Sequence, residues 1–336
     1  MTAEAGRWKT EGGASRRTAV LGAVLAVVFV PVAIVPVQAA RFYAYNRDNG
    51  SFVSSGIERT YLLHVPKTYD ASKLTPLVIS LHGAGLWGVA QKDMSRWNEV
   101  SDAEGFIVAY PSGVGGRGLR VWHVEADNPR GRDNVFISEL IDTLRAKYNI
   151  DTTRVYANGL SNGGGMAFGL SCALSGRLAA VGLVGSAQTD AWNSCKDTSA
   201  VPMINFHGTD DRFAAYTGGT SWVLPDDRAF PSQLVWTARW AKRNGCKAGP
   251  TDSVITATVT RRAYSLCAHG ADVVLYTIKG GGHTWPGGGP HPAWFVGVKD
   301  RSIDASGIMW QFFVEHPRSR IPLDERAPNR KPSNGR

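Results

Sequence analysis

The chain has 336 residues, of which 43% are hydrophobic and 19% are charged, and its formal net charge is +9. This length and composition fit a globular protein with a substantial buried core and exclude a low-complexity chain. Residues 1–17 carry a net charge of +2 and residues 317–336 carry +4, which leaves about +3 for the body, where no basic stripe indicates nucleic-acid binding.

An uncharged apolar segment near the N-terminus indicates export. Residues 18–40 contain no charged side chain and directly follow Arg16 and Arg17. The ending Val37-Gln38-Ala39 resembles a signal-peptidase site and favours cleavage, whereas the length of the run is enough to span a bilayer and favours a retained anchor. Both alternatives place residues 41–336 outside the cytoplasm, because the basic residues lie on the N-terminal side. We expect no other contact with a membrane.

Beyond a polar segment at 41–56, which we interpret as a linker, apolar runs alternate with helical patterns. Strands are predicted at Arg59–Val65, Leu77–Leu81, Phe106–Tyr110, Arg154–Ala157, Ala180–Val184, Pro202–Phe206 and Val273–Ile278. Helices are predicted at Asn134–Tyr148, from near Ser161 to Leu174, and at Gln233–Arg243 and Ile303–Val314. This interleaving predicts an α/β fold with a mostly parallel sheet and helices on both faces. We expect one domain over 57–316 and a basic, Pro-rich tail at 317–336 without stable structure.

The sharpest local signal is the pentapeptide Gly159-Leu160-Ser161-Asn162-Gly163, a G-x-S-x-G sequence. A predicted strand precedes it and a helical pattern follows it, as in a nucleophile elbow, where a strained turn presents a serine and flanking glycines relieve clashes. The helix that begins there would point free N–H groups at Ser161. The alternative is a glycine-rich turn with a passive serine.

A serine nucleophile needs a base and an acid that orients the base. Among eight histidines, His283 stands out, because it follows the strand Val273–Ile278 in a glycine-rich loop late in the chain. The acid is expected after the strand that ends at Phe206, where Asp210 and Asp211 are both available; we prefer Asp211. His207 is then interpreted as a structural hydrogen-bonding residue.

An oxyanion intermediate requires two backbone donors. The N–H of Asn162, the residue after Ser161, is the first expected donor. The second is expected in the turn after Leu77–Leu81, where we choose the N–H of Ala84 over that of Gly85.

Four cysteines, Cys172, Cys195, Cys246 and Cys267, allow three disulfide pairings in an exported chain. Pairing of sequence neighbours would join Cys172 to Cys195 and Cys246 to Cys267, and four free thiols are the alternative. No Cys/His cluster predicts a metal site. No Walker lysine pattern and no G-x-G-x-x-G sequence that opens a helix predicts a nucleotide cofactor.

In combination, the segments LVISLHGAG, YNIDTTRVYANGLSNGGGMAFGLSC, HGTDD and GGGHTWPGG resemble the polyhydroxybutyrate depolymerase and feruloyl esterase family, also called carbohydrate esterase family one. The resemblance covers roughly 57–315. It implies an α/β-hydrolase fold, secretion, a serine triad and no cofactor. By motif position it supports Ser161 as nucleophile, Asp211 as acid and His283 as base.

The resemblance carries further implications. It implies that the cysteine pairs are disulfides and that Trp285 shapes the substrate pocket beside His283. Family members usually carry an acidic residue after Asp133, where this chain has Asn134, so Asp133 is expected to position a loop. No separate polymer-binding domain is recognisable, which favours soluble or oligomeric esters.

The substrate class stays open among hydroxyalkanoate oligomers, feruloyl esters and acetyl esters of polysaccharides. Two rival functions also stay open: a serine peptidase on the same fold, and a non-catalytic binding protein on a hydrolase scaffold.

Overall fold

A computed structural model of the chain describes residues 48–115, 120–124, 132–186, 195, 199–220 and 229–319. The expected signal or anchor segment lies outside these residues, as do residues 320–336 of the expected tail. In the part that is described, no helix combines the length and the apolar character needed to cross a membrane.

Ten strands form one large sheet. They are β1 (Gly50–Ser54), β2 (Ile57–His64), β3 (Thr75–Leu81), β4 (Ile107–Pro111), β5 (Ile150–Leu160), β6 (Ala180–Val184), β7 (Met203–Gly208), β10 (Ala248–Val254), β11 (Val259–Ser265) and β12 (Val273–Ile278). The short strands β8 (Gly219–Thr220) and β9 (Ala229–Phe230) pair with each other.

The strand order in the sheet is β1-β2-β4-β3-β5-β6-β7-β12-β11-β10. The six central strands, from β4 to β12, pair in parallel, and the strands outside them pair antiparallel. The carboxyl ends of the six central strands therefore lie along the same edge of the sheet.

Seven α-helices are described: α1 (Gly88–Ser95), α2 (Trp97–Glu104), α3 (Asp133–Lys147), α4 (Asn162–Ala173), α5 (Gln233–Arg243), α6 (Ala293–Val296) and α7 (Ala305–Glu315). They pack on both faces of the sheet. Side chains of α3, α4 and α5 share one apolar cluster with one set of strand residues, and side chains of α2 and α7 share a second cluster with the other set.

Strand β3 shows why the sheet needs two covering layers. Leu77, Ile79 and Leu81 belong to the first cluster, whereas Val78 belongs to the second. Alternate side chains of a strand point to opposite faces, so a strand that is apolar throughout must be buried on both. The predicted α/β-hydrolase fold class, with a mostly parallel sheet and helices on both faces, is confirmed.

Ordered structure extends beyond both ends of the range 57–316 that was expected for the domain. Strand β1 lies inside the segment 41–56 that was interpreted as a linker, where it pairs with β2. At the other end, the backbone N–H of Arg318 donates to Thr153 O at 2.8 Å. The packed domain therefore begins before residue 57 and includes the first residues of the expected tail.

Candidate active site

The predicted site residues follow the carboxyl ends of neighbouring parallel strands. Residues 82–85 follow β3, Ser161 follows β5, Asp211 lies just after β7, and His283 lies just after β12. Loops at the carboxyl ends of parallel strands meet at one edge, which is where open α/β sheets form their sites. The topology thus brings together four segments that are far apart in the sequence.

Ser161 occupies a strained turn between β5 and α4. Its φ is 55° and its ψ is −121°, a backbone conformation that non-glycine residues rarely adopt. The turn is tight: a Cβ added to Gly163 would lie 2.2 Å from Leu81 O, so only glycine permits this approach of α4 to β3. The structure therefore holds Ser161 in a strained, tight turn between a strand and a helix.

Asp211 and His283 are in direct contact. His283 Nδ1 lies 2.8 Å from Asp211 Oδ2, and both residues are buried. The other carboxylate oxygen, Oδ1, accepts the backbone N–H groups of Phe213 at 2.8 Å and Ala214 at 2.9 Å. The neighbouring Asp210 is exposed, and its Oδ1 accepts a bond from Thr209. Of the two candidate acids, Asp211 is the one that contacts the imidazole.

The charge state of Asp211 follows from these contacts. Burial by itself raises the pKa of the carboxyl, but the hydrogen bond and charge of His283, with the charge of His207 and the Ala214 N–H, outweigh it and bring the pKa below its ordinary value. A carboxylate at Nδ1 selects the tautomer with the proton on Nδ1, which leaves Nε2 free to accept one.

Ser161 is joined to the Asp211–His283 pair through the end of β6. The Ser161 N–H donates to Val184 O at 2.9 Å. A Cβ placed on the next residue, Gly185, would lie 3.1 Å from His283 Nδ1 and 3.3 Å from Asp211 Oδ2. One short segment thus contacts the Ser161 turn on one side and the Asp211–His283 pair on the other.

The turn after β3 lies against the serine from the opposite side. A Cβ on Gly83 would be 3.6 Å from Ser161 Cβ. The N–H of Gly85 already donates to Arg120 O at 2.8 Å, which removes it as an oxyanion donor. Ala84 is exposed in this turn, and Asn162 is the first residue of α4, whose N–H has no acceptor within the helix. The geometry therefore favours Ala84 over Gly85.

A short segment, residues 120–124, supports this turn; we call it the strap. Asn162 Oδ1 accepts the N–H of Trp122 at 2.6 Å, and Asn162 Nδ2 donates to Trp122 O at 3.0 Å. The indole N–H of Trp122 donates to His82 O at 2.9 Å. Sequence reasoning missed the strap, which connects Asn162, the residue after Ser161, to the turn at residues 82–85.

His82 is the first residue of this turn and holds it in place. Its Nε2 accepts the N–H of Gly113 at 2.9 Å, so its proton lies on Nδ1, which donates to Gly83 O at 2.8 Å. Burial lowers the pKa of His82 to about 4, and the charge of Arg120 acts in the same direction. His82 is therefore a neutral structural residue near neutral pH.

Two other predicted residues lie behind the site. Trp285 is only 1% exposed and packs in the second apolar cluster, with its indole N–H donating to Ser306 Oγ at 3.0 Å. This position does not fit the expected role in a substrate pocket; Trp285 supports the His283 loop from within the core.

His207 is fully buried, and its Nε2 contacts Ala214 O at 2.6 Å. Burial lowers the pKa of His207, in agreement with a structural role.

The structure contains both disulfides between sequence neighbours, Cys172–Cys195 and Cys246–Cys267. Among the described residues, no group of three or more His, Cys, Asp or Glu side chains is arranged to hold a metal ion.

Two surface cavities of about 400 and 470 Å³ are both lined by Ile150, at the start of β5. They lie at the opposite end of the strand from Ser161 and are separate from the site.

Comparison with known proteins gives the site a context. A family model described as Esterase PHB depolymerase matches residues 59–211. Feruloyl esterase B of Piromyces equi is 30% identical over 67% of this chain and 42% of that protein. The bifunctional acetylxylan esterase/xylanase XynS20E of Neocallimastix patriciarum is 26% identical over 73% of this chain and 34% of that protein. The chain thus spans less than half the length of both curated relatives.

The fold has a solved counterpart. The structure of an acetyl xylan esterase from Aspergillus awamori matches with a TM-score of 0.53 at 16% identity, over 67% of this chain and 89% of that one. At this level of identity the likeness concerns the fold.

Proposed function

We propose that this chain, whose residues 59–211 belong to the Esterase PHB depolymerase family, is an exported serine hydrolase of carboxylic esters. The observation that carries the proposal is the buried Asp211–His283 contact of 2.8 Å at the sheet edge where Ser161 occupies its strained elbow. These are the parts of a nucleophile, a base and an orienting acid.

The reaction follows from the roles of these groups. Ser161 Oγ attacks the ester carbonyl while its proton passes to His283 Nε2. The tetrahedral intermediate then collapses: the bond to the alcohol breaks, the alcohol takes the proton from His283, and an acyl-enzyme remains. Water repeats these steps and releases the acid. Asp211 stays ionised throughout and stabilises the imidazolium.

The negative charge of the tetrahedral intermediate requires donors beside Ser161. We assign this role to the N–H groups of Ala84 and Asn162, because the Gly85 N–H is already bonded and Asn162 begins α4. The positive end of the helix dipole adds to the same stabilisation. Loss of one such donor typically lowers kcat about a hundred- to a thousandfold.

The relatives suggest the substrate class. Their names refer to feruloyl and acetylxylan esters, and the family description refers to PHB. We propose feruloyl or acetyl esters of polysaccharides, or hydroxyalkanoate oligomers, as substrates. Hydrolysis rates measured on one soluble member of each class would rank these three possibilities.

The first test is the Ser161→Ala variant. We expect it to fold like the wild type and to lose turnover of p-nitrophenyl acetate and labelling by a fluorophosphonate probe. Ser265→Ala, at an exposed serine at the end of β11, is the matched control and should keep both. Wild-type turnover by Ser161→Ala would refute the proposal. Efficient cleavage of matched amide substrates would instead indicate the peptidase alternative.

We also propose that the domain acts outside the cytoplasm, with residues 1–40 as a signal peptide or an anchor. Two disulfides support an oxidising compartment, since cytoplasmic thiols are kept reduced. Cell fractionation, with mass determination of the mature protein, would test this and show whether residues 1–40 are removed. Recovery of the whole chain from the cytoplasm with four free thiols would contradict it.

A further inference from the structure

Three aromatic rings lead from His283 toward solvent. The ring of Phe213 stacks on the imidazole of His283, with centroids 4.8 Å apart. Phe213 meets Phe295 edge-on at 5.2 Å, and Phe295 contacts Trp294 at 5.6 Å. We call Phe213, Phe295 and Trp294 the aromatic run. It extends the candidate active site onto the surface.

The outer end of the aromatic run is unusually exposed. The Trp294 side chain is 85% exposed and Phe295 is 45% exposed, and the nearby Val298 adds further apolar surface at 66%. Large aromatic side chains are normally buried for most of their area. A contiguous apolar surface of this kind is typical of a ligand-binding site, particularly where it continues into a reactive centre.

The aromatic run is fixed to the loop of the proposed base. The His283 N–H donates to Val296 O at 2.7 Å, and the Gly282 N–H donates to Val298 O at 2.8 Å. A Cβ on Gly282 would lie 2.2 Å from Val296 O, so glycine is needed for this approach. Helix α6, which carries Trp294 and Phe295, is therefore held at a defined position relative to His283.

The order of strands tells which part of an ester would face the aromatic run. The turn with the proposed oxyanion donors follows β3, on one side of Ser161. Phe213 follows β7, and His283, Trp294 and Phe295 follow β12; both strands lie on the other side of Ser161, beyond β6. In ester hydrolysis the imidazole delivers its proton to the departing alcohol, so the alcohol must lie on the imidazole side. The aromatic run thus borders the space for the leaving group.

We propose that the aromatic run is a leaving-group subsite that stacks a sugar ring of a polysaccharide ester, with Trp294 as its main platform. The proposal rests on the esterase function above. A pyranose presents C–H groups on its face, which pack on the electron-rich face of an indole, while its hydroxyls remain hydrated. A platform as open as Trp294 suits this ligand, whereas a polyester chain gains chiefly from enclosure of its methyl groups.

The test compares two substrates with the same acyl group: an acetylated xylo-oligosaccharide and methyl acetate. For Trp294→Ala, we expect the ratio of kcat/KM for the sugar ester to kcat/KM for methyl acetate to fall about tenfold, mainly through a higher KM. Trp294→Phe should recover part of this ratio. Leu266→Ala, at a side chain that is 71% exposed on another loop, is the control and should leave the ratio unchanged.

A binding measurement separates this proposal from the esterase function. Calorimetric titration of the full chain carrying Ser161→Ala with an unesterified xylo-oligosaccharide requires no turnover, and the added Trp294→Ala change should abolish the binding. An unchanged substrate ratio, together with unchanged titration, would overturn the proposal. A selective loss on a hydroxybutyrate trimer would also overturn it, in favour of a polyester surface.

Discussion

Arg59 and Asp133 form a buried ion pair that connects β2 to the first residue of α3. Arg59 Nη2 lies 2.7 Å from Asp133 Oδ1, with side-chain exposures of 4% and 0%. The guanidinium also lies over the ring of Phe136, 3.9 Å from its centroid. The second oxygen, Asp133 Oδ2, accepts the N–H of His123 at 2.9 Å, so the pair also holds the strap. Asp133 thus positions a loop, as expected from its sequence context.

The first prediction concerns this pair. Asp133→Asn leaves the charge of Arg59 buried without a counter-charge, and we expect the free energy of unfolding to fall by about 3 kcal/mol. Chemical denaturation at neutral pH measures this. The control is Asp142→Asn, also on α3, because its pair with Arg177 is exposed and its loss should cost less than about 1 kcal/mol. Equal costs for the two variants would contradict the prediction.

The second prediction concerns the bonds between Asn162 and the strap. Asn162→Ala removes both bonds to Trp122, so the strap and the turn it supports lose their fixed position next to Ser161. We expect kcat on p-nitrophenyl acetate to fall about tenfold to a hundredfold with little change in KM, because positioned donors act mainly on the transition state. Asn162→Asp keeps the acceptor for the Trp122 N–H but places a charged oxygen against Trp122 O and beside the proposed oxyanion donors, so it should not recover the lost kcat. A change confined to KM would argue against this role.

The third prediction separates the two adjacent aspartates. Asp211→Asn should lower kcat by about 10⁴-fold, as replacement of a triad acid does, because the amide favours the wrong imidazole tautomer. Asp210→Asn is the matched control: Asp210 is exposed and bonded to Thr209, and its change should alter kcat less than about twofold. Steady-state kinetics on one ester suffices. A large loss in Asp210→Asn alone would reverse the assignment.

The central elements of the fold could be predicted from the sequence because their burial leaves a pattern. The structure has β6, β12 and α5 at the predicted bounds. Strand β10 (Ala248–Val254) was missed, because it lies at the edge of the sheet with nearly all its residues exposed, and only pairing with β11 defines it. Its sequence contains Pro250 and Asp252, which are unfavourable for strands. An edge strand that is defined only by pairing with its neighbour leaves little signal in its own sequence.

The candidate site also contains residues that could be predicted from the sequence and residues that could not. Ser161, Asp211 and His283 could be proposed because each follows a recognisable strand in a loop with distinctive chemistry. The strap could not, since its bonds join a side chain to the backbone of a residue 40 positions away. Trp285 shows the same limit: it lies two positions after His283, but the loop turns the indole into the core. Adjacency in sequence does not fix the direction of a side chain.

The last prediction concerns stability in mild acid. His82 is buried and its pKa is about 4, whereas an unfolded histidine titrates near 6.5. Between these values the unfolded state binds more protons than the folded state, so stability falls as the pH drops through this window and levels off below it. This difference in pKa corresponds to a fall of about 3 kcal/mol in the free energy of unfolding over the whole window. His207, whose pKa is also lowered by burial, acts with the same sign.

Urea unfolding of the wild type at about pH 7 and about pH 4.5 measures this loss. His82→Gln removes one titrating group, so its stability should be lower than that of the wild type at neutral pH but should decline less between the two pH values. Ser265→Ala is the control, because this exposed side chain binds no proton in the range, and its decline should match that of the wild type. An equally steep decline in His82→Gln would show that protonation of His82 does not limit acid stability.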